Sequence, residues 1–292
     1  MPSVDFKQVD VFTNRPFKGN PVAVVLDASH LNGEEMQQIA NWTNLSETTF
    51  VLPPQDEKAH YRVRIFTPGS ELPFAGHPTI GTAHALLEAG VITATDGSVI
   101  QECDAGLITL TVTPLPEGGQ SIAFELPAPA IQPLSPEQTD KLEQILGCEL
   151  DRTITPALVD VGARWVVARA ADAQAVLNTC PEYALLAEHD ATLNVTGVCL
   201  FGQYPTEAEM KIEVRSFAPA CGVNEDPVCG SGNGSVAAFL RHYSVELPAD
   251  GQIVSTQGQI LGRDGRLNLT IDKDKILVGG QAVTCISGTI TS

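Results

Sequence analysis

The chain has 292 residues, a length that predicts about two domains at roughly 150 residues each. Hydrophobic residues make up 43% and charged residues 18%, enough apolar material for a substantial core, which excludes an intrinsically disordered chain. With 17 Lys and Arg against 35 Asp and Glu the formal charge is −18, so nucleic acid and anionic membrane surfaces are repelled and neither is expected as a partner.

The first residues, Met1-Pro2-Ser3-Val4-Asp5-Phe6, lack the basic stretch and apolar run of a signal peptide. No segment approaches the roughly 18 apolar residues of a membrane span. A cytoplasmic location is therefore expected. The seven cysteines, at 103, 148, 180, 199, 221, 229 and 285, are scattered and contain no Cys-x-x-Cys pair, so neither a disulfide framework nor a zinc site is expected. Asn41-Trp42-Thr43 and Asn194-Val195-Thr196 match the glycosylation pattern and are read as chance matches.

In chain order, strands are predicted over 5–12, 23–26 and 61–66. A Pro/Gly loop over 67–76 leads into a small-residue helix that carries Pro78 in its first turn and ends near Ala85-Leu86. Further strands are predicted over 107–113 and 122–126. Pro127-Ala128-Pro129-Ala130-Ile131-Gln132-Pro133 reads as a linker. Strands over 165–168 and 210–217, a loop over 218–230, a second small-residue helix to Phe239-Leu240 and a strand over 267–271 complete the pattern.

The two halves match each other. Phe50 falls on Phe201 at an offset of 151, and Val63-Arg64-Ile65-Phe66-Thr67-Pro68 falls on Val214-Arg215-Ser216-Phe217-Ala218-Pro219. After a three-residue insertion, Glu71-Leu72-Pro73-Phe74-Ala75-Gly76 matches Glu225-Asp226-Pro227-Val228-Cys229-Gly230. This predicts two α+β domains of similar design. The halves differ where chemistry can reside: Asp226 stands at the position of Leu72, Ser231 at that of His77, and Glu47 opposite Val198. Glu47, His77, Asp226 and Ser231 together supply carboxylates, an imidazole and a hydroxyl, a proton-transfer set without a nucleophile–base triad. Each also has a structural use: a loop glutamate, a helix-capping histidine, a turn aspartate and an N-cap serine. Gly76, Gly230 and Gly232, at two helix starts, are candidates for letting an anionic substrate approach backbone N–H groups, or serve only as tight turns.

Six stretches in order resemble the phenazine-biosynthesis (PhzF-like) family. They are Asp10-Val11-Phe12-Thr13-x-x-Pro16-Phe17-x-Gly19-Asn20-Pro21, Leu45-Ser46-Glu47-Thr48-x-Phe50 and Arg64-Ile65-Phe66-Thr67-Pro68. Pro73-x-Ala75-Gly76-His77-Pro78-Thr79, Glu225-Asp226-Pro227-x-x-Gly230-Ser231 and Gln257-Gly258-x-x-x-Gly262-Arg263 follow. The resemblance implies a diaminopimelate-epimerase-like fold: two similar domains, each an antiparallel barrel-like sheet around a central helix, with the active site between them. The expected boundaries are 1–127, completed by a C-terminal strand at about 281–292, and 128–280.

The resemblance further implies a homodimer without metal or cofactor that isomerises a small, cyclic carboxylate, as trans-2,3-dihydro-3-hydroxyanthranilate isomerase does. Glu47 would then move the proton, assisted by His77, Asp226 and Ser231. The related epimerases and racemases use two opposed cysteines. Here Cys229 holds one position but Ala75 the other, which counts against an amino-acid epimerase or racemase. A catalytically silent small-molecule-binding protein on the same scaffold is the remaining alternative.

Overall fold

The computed structural model describes residues 3–205, 207–208 and 211–291. The chain divides into two compact units, Met1–Glu125 with Gly279–Ser292, and Leu126–Val278.

The first unit opens with β1 (Ser3–Val11), β2 (Asn20–Val25), α1 (Gly33–Thr43), β3 (Glu47–Leu52) and β4 (Tyr61–Phe66). It continues with the short β5 (Glu71–Leu72), α2 (Gly76–Glu88), β6 (Ser98–Cys103), β7 (Gly106–Pro114) and β8 (Gln120–Glu125). The second unit holds β9 (Ala130–Pro133), α3 (Pro136–Leu146), β10 (Ala157–Asp160), β11 (Arg164–Arg169), α4 (Ala173–Asn178) and α5 (Tyr183–Leu193). There follow β12 (Gly197–Gln203), β13 (Ile212–Ala218), β14 (Val223–Asp226), α6 (Gly230–His242), β15 (Gln252–Gln257) and β16 (Gly265–Ile271). β17 (Ile276–Gly280) runs across the boundary, and β18 (Ala282–Thr291) belongs to the first unit.

The sheets are mixed, not antiparallel as expected. In the first unit β2 runs parallel to β3 and β4 parallel to β6, while β18–β1, β1–β2, β3–β4, β6–β7 and β7–β8 are antiparallel. In the second unit β11 runs parallel to β12 and β13 to β15, while β9–β10, β10–β11, β12–β13 and β15–β16 are antiparallel. The cause lies in the connections: α1, α2, α6 and the α4–α5 pair each carry the chain across between the two strands, and such a crossover leaves them parallel.

The central helices answer the expectation more closely. α2 packs on β1, β2, β3, β8 and β18, with every residue from Gly76 to Ala83 buried. A helix surrounded by sheet has no solvent face, and its sequence is apolar or small on all sides accordingly. A Cβ on Gly81 would lie 2.4 Å from Val22 Cγ1, so this helix reaches the sheet only because the residue is glycine. α6 packs on β10, β11, β12 and β16 and is buried from Gly232 to Leu240.

Two sequence expectations are corrected. The stretch expected as a linker forms β9, whose Ala130–Pro133 pairs in register with Ala157–Asp160 of β10. Pro133 has no N–H to give to the ladder and stands as the last residue of the strand. The strand expected over 210–217 is observed as Ile212–Ala218, and Met210 lies outside the described residues.

Candidate functional site

In the first unit, a capping box starts α1: Asn32 accepts from Glu34 N and Glu35 N, and Glu35 reaches back to Asn32 N. The helix ends on Asn44 in the left-handed conformation, φ 53°, which turns the chain through Leu45-Ser46 into β3. Glu47 is the first residue of β3, in parallel register with Val22. His77 is the second residue of α2, whose N-cap Ala75 has no side chain able to cap it.

These two side chains meet. Glu47 Oε2 lies 3.3 Å from His77 Nε2, with exposures of 15% and 8%. The contact falls outside hydrogen-bonding angles, the looseness common in sites without substrate. Burial pushes the His77 imidazole down to about 3, against a hydrogen bond to the Pro21 backbone that acts the other way. Proline has no N–H, so the Pro21 carbonyl accepts and the imidazole donates. Nε2 has no hydrogen-bond partner, so the donor is Nδ1. His77 is therefore a neutral imidazole of fixed tautomer whose Nε2 lone pair faces the Glu47 carboxyl. Pro21 closes the first signature stretch, where Asp10 Oδ2 accepts from Lys18 N at 2.7 Å and Gly19 N at 3.0 Å.

In the second unit, Asp226 ends β14 opposite Ser216, and its Oδ1 accepts from Val228 N at 3.0 Å. Burial raises its carboxyl to about 6, opposed by hydrogen bonds from Val228 and Cys229. The group is thus poised near neutrality, where it can be present in either form. Ser231 Oγ accepts from Trp165 Nε1 at 3.1 Å and shares a weak hydrogen bond with Cys229 Sγ at 3.6 Å.

Cys229 is the N-cap of α6, and its Sγ accepts from Gly232 N at 3.2 Å. Burial, with Asp226 nearby, raises this thiol well above the usual cysteine value. It is not a thiolate at neutral pH, and Ala75 supplies no second thiol.

The glycines have packing reasons of their own. A Cβ on Gly76 would lie 2.7 Å from the Phe124 ring. One on Gly232 would lie 2.7 Å from both Cys199 Sγ and Ser216 Oγ. The Gly232 N–H is held by Cys229 Sγ, whereas no side chain caps the N–H groups at the start of α2.

The register of the strands shifts two sequence matches: Phe50 answers Leu200 rather than Phe201, and Glu47 moves likewise. Thr48 pairs with Phe66 and Val198 with Phe217, so the counterpart of Glu47 is Gly197, not Val198. A Cβ there would lie 1.9 Å from Phe217 O, leaving no room for any side chain. The offset is 150 in this strand and 151 in the next, and the connection between them absorbs the extra residue.

The sequence reading did not find Trp165 as the partner of Ser231, nor Pro21 as the partner of His77. Both lie far from their partners in sequence, and an indole N–H or a carbonyl carries no motif. Among the described residues no group of three His, Cys, Asp or Glu could hold a metal ion, and no helix is long and apolar enough to cross a membrane.

Residues 9–288 match the model of the family described as phenazine biosynthesis-like protein, PhzC-PhzF. A Schizosaccharomyces pombe protein named antisense-enhancing sequence 1 is 43% identical over 291 residues, covering 97% of each chain. The Pseudomonas aeruginosa trans-2,3-dihydro-3-hydroxyanthranilate isomerase is 34% identical over 260 residues, 89% of this chain and 87% of the relative. The crystal structure of the Bacillus anthracis phenazine biosynthesis protein of the PhzF family superposes with a TM-score of 0.88 at 27% identity, covering 100% of both chains. The chain belongs to the phenazine-biosynthesis-like PhzF family and is, like the dihydrohydroxyanthranilate isomerase there, an isomerase.

Proposed function

We propose that this isomerase shifts a double bond in a small, cyclic carboxylate by proton transfer, with Glu47 as acid and base and no metal or cofactor. The observation that carries the reading is the Glu47–His77 pair, a carboxyl set 3.3 Å from the lone pair of a neutral imidazole whose other nitrogen is committed to Pro21. As carboxylate, Glu47 removes a proton from one substrate carbon. The electron pair released becomes a new double bond as the old one moves, and Glu47, now the acid, returns the proton at a second carbon. No net oxidation occurs. The Nε2 lone pair gives the acid form a partner between the two transfers.

Asp226 and Ser231 serve the same reaction as hydrogen-bonding groups for the substrate's polar substituents. The 34% identical dihydrohydroxyanthranilate isomerase supports that compound as the first substrate to try. The substrate carboxylate is held by backbone N–H groups at one or both of Gly76-His77 and Gly230-Ser231, where helix starts offer donors and partial positive charge. This local capture answers the repulsion expected from a chain of charge −18. Sulfate soaked into crystals belongs at these helix starts; sulfate found only on surface Lys and Arg would remove this capture.

The reading includes a diaminopimelate-epimerase-like fold with an internal repeat, supported by the shared order of elements and pairing senses in the two units. It also takes the protein as a cytoplasmic homodimer. Sedimentation of the purified chain tests the dimer, and assay after exhaustive chelation tests metal independence. The deciding experiment incubates the protein with trans-2,3-dihydro-3-hydroxyanthranilate in deuterium oxide. Deuterium uptake with a moved double bond supports the reading. Exchange at one stereocentre indicates an epimerase, and no exchange over a panel of cyclic carboxylates indicates a binding protein.

A further inference from the structure

The turn from Asp226 to Cys229 is gripped from outside itself by one side chain. Gln257, the last residue of β15, donates from Nε2 to the Asp226 carbonyl at 2.8 Å. Its Oε1 accepts from Cys229 N at 3.1 Å. One amide thus spans both ends of the turn that carries the Asp226 carboxyl into the first turn of α6. The next residue reinforces the grip: Gly258, at φ +96°, sits so close to Pro227 that a Cβ would lie 2.4 Å from the Pro227 oxygen.

The amide cannot be reversed without loss. Ser255 Oγ donates to Asn233 Oδ1 at 2.5 Å, which turns Asn233 Nδ2 toward the Cys229 carbonyl at 2.9 Å and Gln257 Oε1 at 2.8 Å. Gln257 Oε1 therefore receives two donors, and Nε2 is left facing the Asp226 carbonyl. Gln257, Asn233 and Ser255 are each fully buried, so an unmet donor or acceptor here is costly. A buried amide pair this specific exceeds what packing requires, since an apolar side chain of similar volume would fill the space.

We infer that Gln257 is a positioning residue for the reaction: its amide fixes the Asp226–Cys229 turn, and through it the direction and hydration of the Asp226 carboxyl. The inference rests on the role given to Asp226 above and extends it to a residue that touches no substrate. Among the charged and titratable groups facing Asp226 are Glu225, itself paired with Arg215, and the Cys229 and Cys199 thiols. None of them changes in the test variants.

The test follows the Asp226 carboxyl directly by carbon-13 NMR titration of the full chain, with its resonance assigned by its loss in Asp226→Asn. Gln257→Leu frees the turn and admits water, so the Asp226 midpoint falls by about half a unit or more toward the ordinary aspartate value. Turnover falls about 10-fold or more through misplacement, with KM less affected. Gln257→Glu keeps the acceptor for Cys229 and Asn233 but sets a carboxylate against Asp226, so the midpoint rises instead. Leu269→Ala, a buried change on β16 opposite Ile253 and outside these hydrogen bonds, lowers stability and leaves the midpoint in place. Opposite shifts in the two Gln257 variants support the inference. An unmoved midpoint in whichever of them folds, or an equal shift in Leu269→Ala, overturns it. Unchanged turnover in Asp226→Asn removes Asp226 from the reaction, while the titration still decides whether Gln257 holds it.

Discussion

The two units share one frame and furnish it differently. In each, a helix ends on an asparagine in the left-handed conformation, Asn44 at φ 53° and Asn194 at φ 50°. A strand, its antiparallel partner, a short strand, a buried helix and a parallel strand then follow in the same order. Within that frame Arg64 pairs with Glu71, and Arg215 with Glu225. The chemistry-bearing positions diverge. Glu47 corresponds to Gly197, Ala75 to Cys229, His77 to Ser231, Thr79 to Asn233 and Cys103 to Gln257. The arginine–glutamate pairs that hold the backbone are kept, while the side chains around the two helix starts differ.

The pH behaviour diverges as well. Burial lowers the His77 imidazole to about 3 and raises the Asp226 carboxyl to about 6, so His77 is neutral at pH 7 while Asp226 titrates just below it. The first unit is therefore set against acid, and the second against base.

The largest effect should fall on Glu47, whose counterpart is a glycine. Glu47→Gln keeps shape but removes the titrating group, and turnover should drop at least about 100-fold. Melting temperature and steady-state kinetics measured together check this. Near-normal turnover would take the carboxyl out of the mechanism and leave the units without a catalytic difference.

His77→Gln should expose the acid sensitivity of the first unit. The folded value near 3 lies below the ordinary 6.5, so stability is full above pH 6.5 and is lost as the pH falls toward 3. Between pH 7 and pH 4 the parent should lose roughly 2–3 kcal/mol more than the variant, read from urea titrations at the two pH values. Equal losses would mean that His77 is not held neutral.

Asp226→Asn should show the reverse sign. Its folded value near 6 lies above 3.8, so its contribution is full below pH 3.8 and is lost as pH rises through 6. At pH 7 the asparagine variant should be more stable than the parent by about 2–3 kcal/mol, a gain absent at pH 3.5. A variant less stable at pH 7 would contradict this assignment.

Gly76→Ala and Gly232→Ala should each cost about 1–3 kcal/mol through overpacking. The Gly232 change should cost more, because it meets two short buried side chains while Gly76 meets one ring. Melting curves rank them. The smallest effect belongs to Cys229→Ser, expected to change turnover less than about 3-fold because the thiol caps a helix and packs. A loss there as large as that of Glu47→Gln would restore the epimerase reading.

Several features were legible in the sequence for stated reasons. The Arg-x-Phe-x-Pro match marked corresponding strands because alternation and turn residues are local properties. The capping boxes Asn32–Glu35 and Ser135–Gln138 were equally local and equally readable, yet α1 and α3 were not predicted. The linker expectation failed because proline frequency records what a segment cannot do inside a sheet, not what it does at a strand end.

The sequence by itself determined the family and the two-part organisation, and it nominated the groups proposed to move a proton. Those are carried by residue type and spacing along the chain. Only the tertiary structure decided that Glu47 meets His77, that Pro21 fixes the tautomer, that Gly197 rather than Val198 answers Glu47, and that Gln257 grips the Asp226 turn. Each of these depends on strand register or on a contact between residues distant in the chain. A shift of one residue in register reverses the face on which a side chain emerges, and nothing local in the sequence records that choice.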